Sequence, residues 1–122
     1  MDRFDMHVEM PRVPFEATRR LAGRGETARV AASVASARAA QLRRGATLNA
    51  HLRHRALIEL AAVDTAASIL LSRTAERWKL SARSCDRVLK VSRTIADLAS
   101  ERVVGAAHVA EAIQLRCLDR PL

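Results

Sequence analysis

Alanine fills 24 of the 122 positions in this chain, whereas the aromatic residues amount to Phe4, Phe15 and Trp78, with no tyrosine. Strands draw on aromatic and β-branched side chains. Helices favour alanine, which has no side-chain entropy to lose there. The chain is therefore expected to be all-α, and a β-sandwich is excluded. Its length suits one domain, and 49% hydrophobic residues suffice for one packed core. The expected architecture is a small helical bundle with a short N-terminal extended segment.

That segment is residues 3–10, where Phe4, Met6, Val8 and Met10 alternate with Arg3, Asp5, His7 and Glu9. The period of two predicts a short strand with one buried face. No second strand follows, and a lone strand cannot satisfy its own backbone groups. The segment is therefore expected to belong beside a sheet outside this chain. Pro11 and Pro14 end it, and residues 15–22 read as a short helix stopped by Gly23 and Gly25.

Five further helices are expected. The first covers 27–44, capped by Thr27 and stopped by Gly45, with Val30, Val34, Ala37 and Leu42 as a weak apolar stripe. A short one lies around 54–62. Asp64 caps the next, through Trp78, with Ala67, Leu70, Leu71, Thr74 and Trp78 inward. Ser81 caps another to about residue 99, with Val88, Val91, Ser92, Ile95 and Leu98 inward. A last helix over 106–117 turns Val109, Ala112, Ile113 and Cys117 inward. The expected division is 1–13 as the end of a preceding core, 14–52 as linker helices and 53–122 as the bundle.

The formal net charge is +8, and all but Lys79 and Lys90 of the 21 cations are arginine. Arginine forks onto phosphate and carboxylate better than lysine does, so an anionic partner fits, as does a surface of solvated arginine. Cys85 and Cys117 are too few and too far apart for a zinc motif or a disulfide framework. With no apolar run long enough to cross a membrane and no signal-peptide pattern, a cytoplasmic setting and no membrane partner are expected.

No catalytic set closes. Phosphate-binding loops, Gly-rich dinucleotide turns and nucleophile elbows are all missing from these residues. His51 and His54 have a metal-like spacing without a third ligand nearby, so they read as a surface pair and no metal site is expected. His108 reads as a half-buried packing residue. The informative position is Arg83, in the first turn after the Ser81 cap. That end of a helix carries partial positive charge and unpaired N–H groups, so a cation there is unfavourable by about 0.3–1 kcal/mol unless an anion joins it. Arg83 is thus either a phosphate-binding residue or a solvated one. Arg87 and Lys90, one and two turns on, either extend a basic nucleic-acid-binding stripe or pair with Asp86 and Asp97. Arg3, between Asp2 and Asp5, is a second candidate or part of a local ion network.

Several strings in the chain are characteristic. MDRFDMHVEMPRVPFE resembles the segment that closes the ATPase core of magnesium-chelatase-like AAA+ proteins, with its D-R-[FI]-D-L-H-V-E-V-P pattern. LSARSCDRVLKVSRTIADLASERVVGAAHVAEAIQLRCLDR resembles that family's C-terminal helical lid, and Arg43-Arg44-Gly45 with Leu48-Asn49-Ala50 is similar to its R-x-x-x-x-x-N-A stretch. Within the family, the bacterial competence-protein (ComM) group is the most similar. The resemblance implies an ATPase core before residue 1. It implies that Arg3 is the arginine finger and Arg83 the sensor-2 residue, both directed at the nucleotide. ATP with magnesium is then the cofactor of the full-length protein, with none tightly bound to this fragment, which alone would not hydrolyse ATP. The implied partners are the core and the neighbouring subunits of a hexameric ring, with DNA as the substrate of a branch-migration motor. The other readings are a motor subunit of a magnesium chelatase and a stand-alone basic helical module that binds nucleic acid.

Overall fold

A computed structural model describes residues 6–8, 26–45 and 47–116 of the protein. The described residues form five α-helices: α1 (Glu26–Gly45), α2 (His54–Leu60), α3 (Thr65–Trp78), α4 (Ala82–Leu98) and α5 (Ala106–Arg116). A 3-10 turn, Asn49–His51, sits between α1 and α2. The expected all-α bundle is what folds. The expected short helix over 15–22, Arg3 and Cys117 lie outside the described residues.

The central helix is α4, which packs against α5, α1, α2 and the 3-10 turn. The main core gathers Ala67, Val88, Ala96, Val104, Val109, Ala112 and Ile113, with Leu70, Leu71, Trp78, Val91 and Ile95 packed at its edge. A second cluster of Leu52, Leu57, Ala61 and Leu89 fastens α2 to the other side of α4, and Val63 touches both clusters. Asp64 caps α3 by accepting from the Ala67 amide at 2.8 Å, as its sequence position predicts. Two backbone hydrogen bonds stitch the α2–α3 connection to the α4–α5 loop: Val104 N to Ala62 O at 2.9 Å and Asp64 N to Val104 O at 3.0 Å.

Three expectations of burial are corrected. On α1 the buried residues are Ala37 and Gln41, whereas Val30, Val34 and Leu42 are exposed. The inner face of α1 is small and polar because it meets a polar knot on α4, not an apolar groove. Leu98, expected inward, is exposed at the last position of α4; one turn earlier the inward places are taken by Arg93, Ala96 and Asp97. Met6 and Val8 are exposed, while His7 between them is half-buried and its backbone amide donates to Leu115 O. Among the described residues no strand lies beside this segment to cover the two apolar side chains.

Gly45 does close α1. Its role is close approach: a Cβ there would stand 2.8 Å from Leu60 Cδ1.

Candidate functional site

The N-terminus of α4 is built by two serines. The Ser81 side chain accepts from the Ser84 amide at 3.1 Å, and the two hydroxyls lie 3.2 Å apart. This is the cap that the sequence predicts. Arg83, between them, is exposed, and no hydrogen bond or ion pair ties it to any described residue. It therefore stands as a solvated guanidinium beside a helix end whose amides are positive. The dry, carboxylate-locked environment that would rule out a phosphate role is absent at this residue.

Arg87 and Lys90 are half-buried further along α4. Lys90 Nζ donates to Ala50 O at 3.3 Å, which fastens α4 to the 3-10 turn. Asp86 receives Nδ1 of His54 at 2.8 Å, so His54 acts as a tie between α2 and α4 and not as half of a pair with His51. His108 accepts from the Gly105 amide at 2.9 Å, capping α5. Among the described residues, no three His, Cys, Asp or Glu side chains gather as a metal cluster, and no helix is long and apolar enough to cross a membrane. Cys85 neighbours the site; burial, and secondarily the Asp86 carboxylate, push its thiol pKa up.

The chain's most elaborate polar structure was not singled out from the sequence. Arg93 is buried, its side chain 1% exposed, yet all its N–H groups have acceptors. Nε donates to Asp97 Oδ1 at 3.1 Å, Nη1 to Ala61 O at 3.0 Å and Arg102 O at 2.9 Å, and Nη2 to Glu101 O at 2.6 Å, while Nη2 lies 2.9 Å from Asp97 Oδ1 as an ion pair. Burial pulls the Arg93 pKa down, Asp97 works against that, and Arg44 adds to the lowering. Asp97 also receives Arg44 of α1 and, at 2.9 Å, the Asn49 amide. Asn49 donates its side chain to Thr94 Oγ1 at 3.1 Å and its backbone amide to Gln41 Oε1 at 2.9 Å. The spacing Arg93–Asp97 is an i,i+4 pair, which on most helices lies at the surface. The available signal was that Ser92, beside Arg93, already reads as inward from the sequence.

The knot and the cap have opposite characters. The knot is satisfied and dry, so it holds α1, the 3-10 turn, α4 and the α4–α5 loop in one arrangement. The cap exposes a cation with no ion-pair partner among the described residues. Only the second has unused capacity to bind an anion.

Comparison with known proteins gives a consistent result. The family described as magnesium chelatase, subunit ChlI C-terminal, matches residues 24–116. Competence protein ComM of Haemophilus influenzae is 35% identical over 123 residues, covering 100% of this chain and 24% of its own length. YifB of Escherichia coli is 33% identical and YifB of Salmonella typhimurium 35% identical, each over 123 residues with the same coverage. The chain thus spans about a quarter of the length of the curated relatives it matches.

Proposed function

The chain belongs to the family of magnesium chelatase subunit ChlI C-terminal domains, and on that premise we propose that it is the helical lid of a longer AAA+ ATPase, in which Arg83 contacts the polyphosphate of ATP. The observation that carries this reading is the exposed Arg83 guanidinium at the capped N-terminus of α4, with no partner among the described residues. A cation at that helix end is unfavourable alone and becomes favourable when an anion joins it. The planar fork of arginine matches phosphate oxygens.

In this reading ATP supplies the phosphoryl group, and its magnesium is held with the phosphates by the upstream core. The work of this chain is electrostatic. Arg83 binds the phosphate oxygens and stabilises the charge that develops on them during transfer. Arg3 takes the part of the arginine finger directed at a neighbouring subunit, on the strength of the D-R-F-D resemblance. The full-length protein is then a hexameric, ATP-driven DNA branch-migration motor, which is what the resemblance to the competence-protein group implies; the similarity to a competence protein over the whole chain supports that group alone.

The test is steady-state ATP hydrolysis by the full-length protein. Arg83→Ala and Arg3→Ala should each lower kcat about a hundredfold or more, with the helical content of the 122-residue chain unchanged. Near-normal turnover in either variant removes that residue from the site. Titrating the 122-residue chain alone with duplex DNA at two salt concentrations addresses the competing reading of a basic module. Micromolar, steeply salt-dependent binding would favour that module; weak binding at both salts favours the lid.

A further inference from the structure

We propose that Arg116 is a positioning residue for Arg83, fixing the first turn of α4 from the last turn of α5. The inference rests on the reading of Arg83 as a nucleotide-contacting residue. Arg116 closes α5, and its Nη2 donates to Ser84 Oγ at 3.1 Å. Ser84 is buried and adjoins Arg83 in sequence. Its amide is the group that the Ser81 hydroxyl caps. Arg116, Ser84 and Ser81 therefore form a continuous set that ends at the helix terminus bearing Arg83.

No described side chain holds Arg83, so its placement depends on the backbone of the turn that carries it. First turns fray unless they are capped and packed. Ser81 supplies the cap, and Arg116 supplies the tether to the bundle. The tether is itself a cation. The last turn of α5 suits it, because that end is negative; the first turn of α4 does not, because that end is positive. A neutral donor would tether Ser84 without that penalty. The neighbouring residue of the same turn, Leu115, accepts from the His7 amide. The last turn of α5 thus also holds the described part of the N-terminal segment in which the resemblance places the finger residue.

The experiment is a double-mutant cycle on ATP hydrolysis by the full-length protein, with melting temperatures taken in parallel. Arg116→Ala should lower kcat about tenfold, the equivalent of one hydrogen bond to a charged donor, and change KM less. Arg116→Lys should recover part of the rate, because Nζ can donate to Ser84 Oγ. In the Arg83→Ala background, removing Arg116 should have no further effect. An equal fold-loss in both backgrounds, or no loss from Arg116→Ala while Arg83→Ala is impaired, overturns the positioning role and leaves the reading of Arg83 intact. Full activity of Arg83→Ala overturns both. Should Arg116→Ala fail to fold, Ser84→Ala in the same cycle gives the decision.

Discussion

Arg44 and Asp97 lie 53 positions apart and meet in a two-pronged ion pair, Nη2 to Oδ1 at 2.5 Å and Nη1 to Oδ2 at 3.4 Å. The Asp97 side chain is 1% exposed, and Arg44 22%. One carboxylate thereby serves two arginines and an asparagine, and it fastens α1 to α4. The ion pair works beside the burial of Ala37 to set the position of α1. The same helix carries Arg83 at its opposite end, so the rigidity of α4 links the knot to the candidate nucleotide contact.

Removing the shared carboxylate should therefore be costly. Asp97→Ala leaves Arg93 buried without its counter-charge, and such losses run to about 3–5 kcal/mol. Arg44→Ala keeps the Arg93–Asp97 pair intact at a more exposed position, so its effect should be about 1–3 kcal/mol. Urea unfolding of the 122-residue chain measures both. An Asp97→Ala loss no larger than that of Arg44→Ala would show that the buried pair is not the centre of the knot.

Among the described residues, three non-glycine residues have left-handed backbones: Ala62, Lys79 and Ser100, with φ of 52°, 51° and 58°. Lys79 is the C-cap of α3 and is exposed. Glycine reaches that conformation without the Cβ penalty. Lys79→Gly should accordingly stabilise the chain by about 0.5–1 kcal/mol, read as a rise in melting temperature. The same change at Arg73, exposed in the interior of α3, should destabilise by about 1 kcal/mol, which separates the backbone effect from the loss of a charged side chain.

The caps explain how much of the fold was legible. Asp64 and Ser81 each combine a short polar side chain with an apolar stripe that starts within a turn, and α3 and α4 follow from them; α5 was legible from its own stripe of Val109, Ala112 and Ile113. The orientation of α1 was not legible, because its inner face is Ala37, Gln41 and Arg44, and apolar periodicity instead highlights Val30, Val34 and Leu42, which are exposed. The knot was hidden for a related reason. Arg93 and Asp97 carry the pattern of a solvated i,i+4 pair, and only the tertiary approach of the Ala61, Glu101 and Arg102 carbonyls makes the site dry. At the candidate site, the Ser81 cap and Arg83 were readable from position. The part played by Arg116 was not, since no local pattern joins a residue to another that the fold brings beside it from the next helix.

Cys85 gives a pH-dependent prediction. Its pKa is raised in the folded chain, chiefly by burial and then by Asp86. The folded thiol therefore keeps its proton to a higher pH than the unfolded thiol, whose pKa is about 8.5. Between those two values the native state binds more protons than the unfolded state, so stability should fall as pH rises through that window. Cys85→Ser should flatten the fall. Iodoacetamide labelling of Cys85 in a Cys117→Ser chain should require a higher pH than labelling of the same chain in urea. Equal pH profiles in the two conditions would contradict the shift.

Gly45 separates two causes of helix termination. If α1 ended there because of a left-handed glycine, any side chain would be strained. The obstacle in the structure is instead the end of a flexible side chain, Leu60 Cδ1 at 2.8 Å from a built Cβ, with Leu52 Cδ2 further off at 3.9 Å. Alanine gains about 0.5–1 kcal/mol over glycine in a helix, and a half-buried leucine can turn aside. Gly45→Ala should thus change stability by less than about 1 kcal/mol in either direction. Gly45→Val adds two further methyl groups in the same space and should cost about 1–3 kcal/mol. In a Leu60→Ala background the obstacle is gone, and Gly45→Ala should become stabilising relative to that background. If it still destabilises there, backbone geometry and not the leucine contact is what requires glycine at the end of α1.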